Sequence, residues 1–125
     1  MPGYGFPRKL RLTEPIQFKA VFNRAEFKVS NRCFLILARR NELQNGRLGL
    51  VISKKNLPTA VQRNRIKRLL RNEFRLNQNL LDGLDIVILA RSNMSSINNK
   101  TIAENMAGLL SDLVRKSRVH VQSCS

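Results

Sequence analysis

Residues 48–75 read LGLVISKKNLPTAVQRNRIKRLLRNEFR, and a change of rhythm inside this stretch sets the architecture. LGLVIS, at 48–53, is a short apolar run of strand length. KKNLPT, at 54–59, is a loop that contains Pro58. From residue 60 to 75 the apolar side chains Ile66, Leu69, Leu70 and Phe74 fall at helical spacing, so one side of a helix packs on a core. Arg63, Lys67 and Arg71 step by four along another line, and Arg65, Arg68 and Arg75 fill the remaining polar sides. Within the helix only Glu73 offsets them. Like charges four apart on a helix repel by a few tenths of a kcal/mol per pair. A sequence that concentrates this repulsion points to a polyanion as the partner.

Working outward, residues 27–30 and 33–39 carry strand signals before a turn-rich segment at 41–46. With 48–53 they suggest a meander of antiparallel strands. Downstream, Asp82-Gly83 is a turn signal and residues 85–90 are a strand. A polar linker at 92–99 precedes an amphipathic helix at 100–116, whose buried side carries Ile102, Met106, Leu109, Leu110, Leu113 and Val114. Near the start, Thr13 is placed to cap a helix running to residue 24, with Glu14 and Pro15 in its first turn. Ile16, Phe18, Val21 and Phe22 cover more than one stripe of that helix, so some of them face something other than the core. Residues 1–12 read as a basic arm, 13–118 as one domain and 119–125 as a tail. The order is α-β-β-β-α-β-α, an α+β sandwich with helices on one or both faces of a sheet. Because the basic helix crosses between two strands, those strands are expected to be parallel neighbours.

A chain of 125 residues makes one domain with a hydrophobic core. Its net charge of +15 points to nucleic acid first and an anionic membrane surface second. The longest apolar runs, 34–38 and 86–90, fall well short of the roughly 20 residues of a spanning helix. The N-terminus lacks the apolar centre of a secretory signal. Cys33, at the edge of a strand, and Cys124, in the tail, read as free thiols in a reducing, cytoplasmic compartment. His120 is the single histidine, there is no Cys-x-x-Cys, and the acids are scattered. No metal site and no catalytic group on the protein are expected.

Taken as a unit, Gly49-Leu50-Val51-Ile52-Ser53-Lys54-Lys55 followed by Ala60-Val61-x-Arg63-Asn64-Arg65-Ile66-Lys67-Arg68 closely resembles the protein subunit of bacterial ribonuclease P. Phe18, Val21-Phe22, Asn31-Arg32-x-Phe34 and Asp85-Ile86-Val87-Ile88-Leu89-Ala90-Arg91 extend the resemblance over about residues 10–118. It implies a mixed sheet with a left-handed crossover through the basic helix (ribosomal-protein S5 domain 2-like), against the general right-handed rule. It also implies that Arg63, Asn64, Arg65, Lys67, Arg68 and Arg71 contact the catalytic RNA of the holoenzyme. In that family a cleft between the first helix and the sheet receives the 5′ leader of precursor tRNA, and the resemblance implies the same cleft here. Phe18 and Phe34 would help line that cleft, Phe22 stands evenly between cleft and core, and Lys54 and Lys55 would lie near its rim.

The chemistry of these residue types agrees. Arginine grips phosphate with a planar fork and lysine adds a point charge. Bases of a single strand stack on aromatic rings for roughly 1–3 kcal/mol each. Asn64 suits either a helix cap or a contact to phosphate or base. Ordinary core packing is the competing reading for the three phenylalanines, and a solvated charged face for the helix. The resemblance further implies that RNA carries the chemistry with Mg²⁺, held mainly by the RNA, in a 1:1 ribonucleoprotein with no small-molecule substrate and no membrane. Three rivals use the same charge: a general RNA-binding or ribosomal protein, a self-sufficient nuclease, and a DNA-binding regulator. The last needs a helix-turn-helix partner where a strand and a loop precede residue 60.

Overall fold

The computed structural model describes residues 11–12, 15–41, 45–91 and 97–124, with side chains through Ser117. The elements follow the expected order. They are α1 (Pro15–Asn23), β1 (Phe27–Ser30), β2 (Phe34–Arg40), β3 (Arg47–Val51), α2 (Ala60–Leu76), β4 (Leu84–Ala90) and α3 (Asn99–Cys124). A 3₁₀ turn at Gln78–Leu81 links α2 to β4, and Gly83, at φ 78°, makes the turn that the Asp82-Gly83 pair signals. The last helix continues through Cys124 rather than ending near residue 116.

The four strands lie in the order β1-β2-β4-β3. β1 and β4 both pair antiparallel with β2, while β3 pairs parallel with β4. The expected parallel neighbours are therefore present, but the expected meander stops after β2. The reason is burial. Leu84 to Ile88 are buried at every position, so β4 is covered on both faces and takes a central place. β3, with Gly49 at its middle and Val51 exposed, is left at the edge. Arg11 and Leu12 also depart from the arm expected of 1–12. Arg11 forms a parallel bridge to Leu48, and the buried Leu12 donates its N–H to the Leu48 carbonyl at 2.9 Å. The proposed cap residues Thr13 and Glu14 lie outside the described residues.

Strand alternation assigns the two faces of the sheet. Phe27, Val29, Phe34, Ile36, Ala38, Leu48, Ile86 and Ile88 point to one side, where they meet Ile66, Leu70 and Phe74 of α2. Ile102, Met106, Leu109, Leu110, Leu113 and Val114 of α3 complete this main core, as their spacing predicts. The buried thiol of Cys33 is free. On the opposite face Val87 packs with Leu12 and with Val21 of α1, flanked by Phe18, Leu37 and Leu89. The site thus has two supports: α2 and α3 behind the sheet, α1 in front.

One buried charge fixes the far end of that front face. Asp85, 5% exposed, accepts from Arg47 Nε at 2.8 Å and Nη2 at 2.7 Å, and from Asn41 Nδ2 at 2.8 Å. The paired carboxylate holds the Arg47 guanidinium above its ordinary pKa, the hydrogen bond outweighing the opposing effect of burial. Its oxygens are committed to this fork, so Asp85 is a structural residue.

Candidate nucleic-acid interface

Helix α2 starts at Thr59, whose extended backbone and hydroxyl, accepting from the Gln62 N–H at 3.2 Å, make it the N-cap. Asn64 is therefore not the cap; it lies inside the helix and is exposed. The buried line Ile66–Leu70–Phe74 pins the helix to the sheet, which turns the other sides outward. Asn64 and Arg68 are exposed, while Lys67 and Arg71 are half-buried at their stems. Arg71 has its pKa lowered, first by burial and then by the charge of Arg11.

Arg63 and Arg65 are placed differently. Arg63 Nη1 donates to the carbonyls of Leu57 and Pro58, both at 2.9 Å. Arg65 Nε donates to Gln62 Oε1 at 3.1 Å, and its Nη1 to the Ile97 carbonyl at 3.1 Å and Asn99 Oδ1 at 2.6 Å. Both bind neutral oxygens within the protein.

The loop before α2 is equally ordered. The Leu57 N–H donates to the Ser53 carbonyl at 3.0 Å, Asn56 Nδ2 donates to the Ala90 carbonyl at 3.0 Å, and Leu57 is fully buried. With the loop anchored at both its ends, Lys54 and Lys55 stand exposed at its tip.

In front of the sheet the pairing register lays out two rows of side chains. Leu37, Val87 and Gly49 form one row across β2, β4 and β3; Leu35, Leu89 and Val51 form the next. Phe18 lies over the first row. A Cβ added at Gly49 would sit 2.6 and 2.7 Å from two carbons of the Phe18 ring, so the absence of a side chain there lets the ring settle on the strand. The second row is half-buried to exposed and continues the apolar surface. Alongside, Pro15, Ile16, Phe18, Lys19 and Phe22 line an open hollow of about 580 Å³. Phe22, 43% exposed, belongs to the hollow and not to the core.

Phe34 does not. It is fully buried among the main-core residues behind the sheet, the face opposite α1, because its parity along β2 is that of Ile36 and Ala38. The β2 residues that do face α1 are Leu35 and Leu37, and with Leu89 and Val51 they were missed by reading the sequence. The alternation inside 34–38 and 86–90 carried the signal, but not which parity faces α1. The Asn31-Arg32-x-Phe34 motif has a local role: Asn31 Oδ1 accepts the N–H groups of Cys33 and Phe34 at 2.9 and 2.8 Å, starting β2. Arg91 Nη1 in turn donates to the Asn31 carbonyl at 3.0 Å.

Among the described residues no three His, Cys, Asp or Glu side chains converge on a point, and no helix is long and apolar enough to cross a membrane. The side chain of His120 lies outside the described set.

Comparison with known proteins bears on these surfaces. A family profile described as Ribonuclease P matches residues 6–114. The ribonuclease P protein component of Pseudomonas putida (strain F1) is 50% identical over 115 residues, 92% of this chain and 86% of that protein. That of Stutzerimonas stutzeri is 50% identical over 89% of this chain and 85% of the relative. Among solved structures, the Staphylococcus aureus RNase P protein superposes with a TM-score of 0.72 at 28% identity, over 88% of this chain and 96% of that one. The Thermotoga maritima RNase P protein gives 0.70 at 32% identity, over 84% and 96%.

Proposed function

The chain belongs to the ribonuclease P protein family, whose place is in tRNA 5′ processing, and from this premise we propose how it divides two RNA-binding tasks between the two faces of one sheet. Helix α2 docks the catalytic RNA through Asn64, Lys67, Arg68 and Arg71. The strip beside α1, formed by Phe18, Phe22, Leu35, Leu89 and Val51, takes the single-stranded 5′ leader of precursor tRNA, with Lys54 and Lys55 following its backbone. One observation supports this above others: a partly exposed cationic helix face and a partly exposed apolar-aromatic strip occur on opposite sides of the same short sheet.

The mechanism is positional. Stacking on Phe18 and Phe22 holds the leader without regard to sequence, since every base has a π-face. Cations on α2 neutralise phosphates of the docked RNA and release its counterions. Held at two points, the scissile phosphate is presented to the RNA subunit, which in this proposal carries the catalysis. Mg²⁺ belongs with the RNA as well. Among the described residues the buried carboxylate is that of Asp85, and its oxygens are taken by Arg47 and Asn41. The protein works as a monomer in a 1:1 ribonucleoprotein in the cytoplasm.

Affinity for precursor tRNA as a function of leader length tests the reading. It should rise over the first few leader nucleotides and then level. Affinity independent of leader length would favour a general RNA-binding role instead.

A further inference from the structure

We propose that the two arginines of Arg63-Asn64-Arg65 are positioning residues and not phosphate ligands, with Arg65 clamping α2 to the segment that leads into α3. This rests on the reading of α2 as the RNA-docking helix and assigns its residues separate tasks.

The clamp is visible in the partners of Arg65. Its Nη1 reaches the Ile97 carbonyl and Asn99 Oδ1, two residues apart, while Nε holds Gln62 one turn back on its own helix. Between the two anchor points, Asn98 starts α3: its Oδ1 accepts the Thr101 N–H at 2.8 Å and its carbonyl the Ile102 N–H at 3.2 Å. Ile97 packs against the main core. The guanidinium therefore grips the chain on both sides of a helix cap and ties that cap to the first turns of α2. Arg63 does the same on the other side, bonding two successive carbonyls of the loop that carries Lys54 and Lys55. A planar fork satisfies several fixed acceptors at once, which an ammonium on a flexible stem does not. That geometry is the reason for arginine at both positions. A guanidinium turned to a phosphate would have to abandon these oxygens. Lys67 and Arg68, by contrast, take no side-chain bond among the described residues and are free to meet an RNA backbone.

Salt titration separates the two roles, because a residue that neutralises a phosphate contributes to the slope of log affinity against log salt and a brace does not. The assay is binding of the full chain to a transcribed bacterial ribonuclease P RNA. Asn99→Ala removes an anchor of the clamp without changing any charge. It should weaken binding roughly fivefold, the size of a modest coupling between elements, with the slope unchanged. Arg65→Lys keeps the charge and loses the fork; it should weaken binding by a similar factor, again at constant slope. The double variant should be no weaker than Arg65→Lys alone, as expected for two halves of one contact. Lys67→Gln should instead lower the magnitude of the slope by about 0.7 to 0.9. Wild-type binding by Arg65→Lys and Asn99→Ala, together with a reduced slope for Arg65→Gln, would overturn the proposal and make Arg65 a phosphate ligand. If Lys67→Gln and Arg68→Gln change neither affinity nor slope, the docking reading itself falls, and the inference with it.

Discussion

Phe18 and Phe34 show how much one residue's setting decides. Both are aromatic and both suit a stacking role by type, yet one rests on the edge strand in front of the sheet and the other fills the core behind it. Phe18→Ala should weaken binding of leader-bearing precursor more than that of mature tRNA, by roughly 1–3 kcal/mol, the worth of one stacked base. Phe34→Ala should destabilise the fold by about 3–5 kcal/mol, since it empties a fully buried site. Its effect on the two RNAs, measured at a temperature where the variant is folded, should be equal. Gly49→Ala belongs at the same scale: a methyl group there collides with the Phe18 ring and should reproduce the leader-selective loss. In a Phe18→Ala background it should add nothing, as a competition assay with and without leader would read. For Arg47 the sign of the pH effect is plain. A raised pKa in the folded state means its contribution is complete below the ordinary guanidinium range and is lost only as pH rises through and beyond it. Asp85→Asn, which leaves Arg47 without its counter-charge, should cost about 3 kcal/mol by urea unfolding at neutral pH.

At the scale of elements, α2, α3 and the strands were legible because a helical repeat or a short apolar run is a local property of the chain, and α1 was legible from the start signals at Thr13, Glu14 and Pro15. Sheet order is not local. The meander expected from three successive strands gave way because β4 is buried on both faces and displaces β3 to the edge. The charged line on α2 was legible for the same reason as the helix itself. The diversion of Arg63 and Arg65 was not. Their acceptors are carbonyls of Leu57, Pro58 and Ile97 and the amides of Gln62 and Asn99, and neither a carbonyl nor its direction is written in residue type. Leu35 and Leu37 escaped notice because the aliphatic floor of a furrow looks like core until the opposite parity is known to be the buried one. The Thr59 cap supports the docking helix at its start. Thr59→Ala should lower stability by about 1 kcal/mol in thermal or urea unfolding and leave the salt dependence of RNA binding unaltered.

For the whole molecule, a net charge of +15 on 125 residues acts on rate and affinity more than on fold. If Lys67, Arg68 and Arg71 together neutralise about three phosphates of the RNA subunit, log affinity for that RNA should fall against log salt with a slope near −2, at about −0.7 per phosphate of a single strand. A flat response would mean the charge is not engaged. In the proposed mechanism this chain binds two RNAs and leaves bond cleavage to one of them. Purified protein added to a bacterial ribonuclease P RNA at low Mg²⁺ tests it most directly, with 5′ maturation of precursor tRNA as the readout. Cleavage by the RNA should be restored when the protein is present, and protein without RNA should cleave nothing. Maturation by the protein alone, or RNA whose activity is the same with and without the protein, would rule this division of labour out.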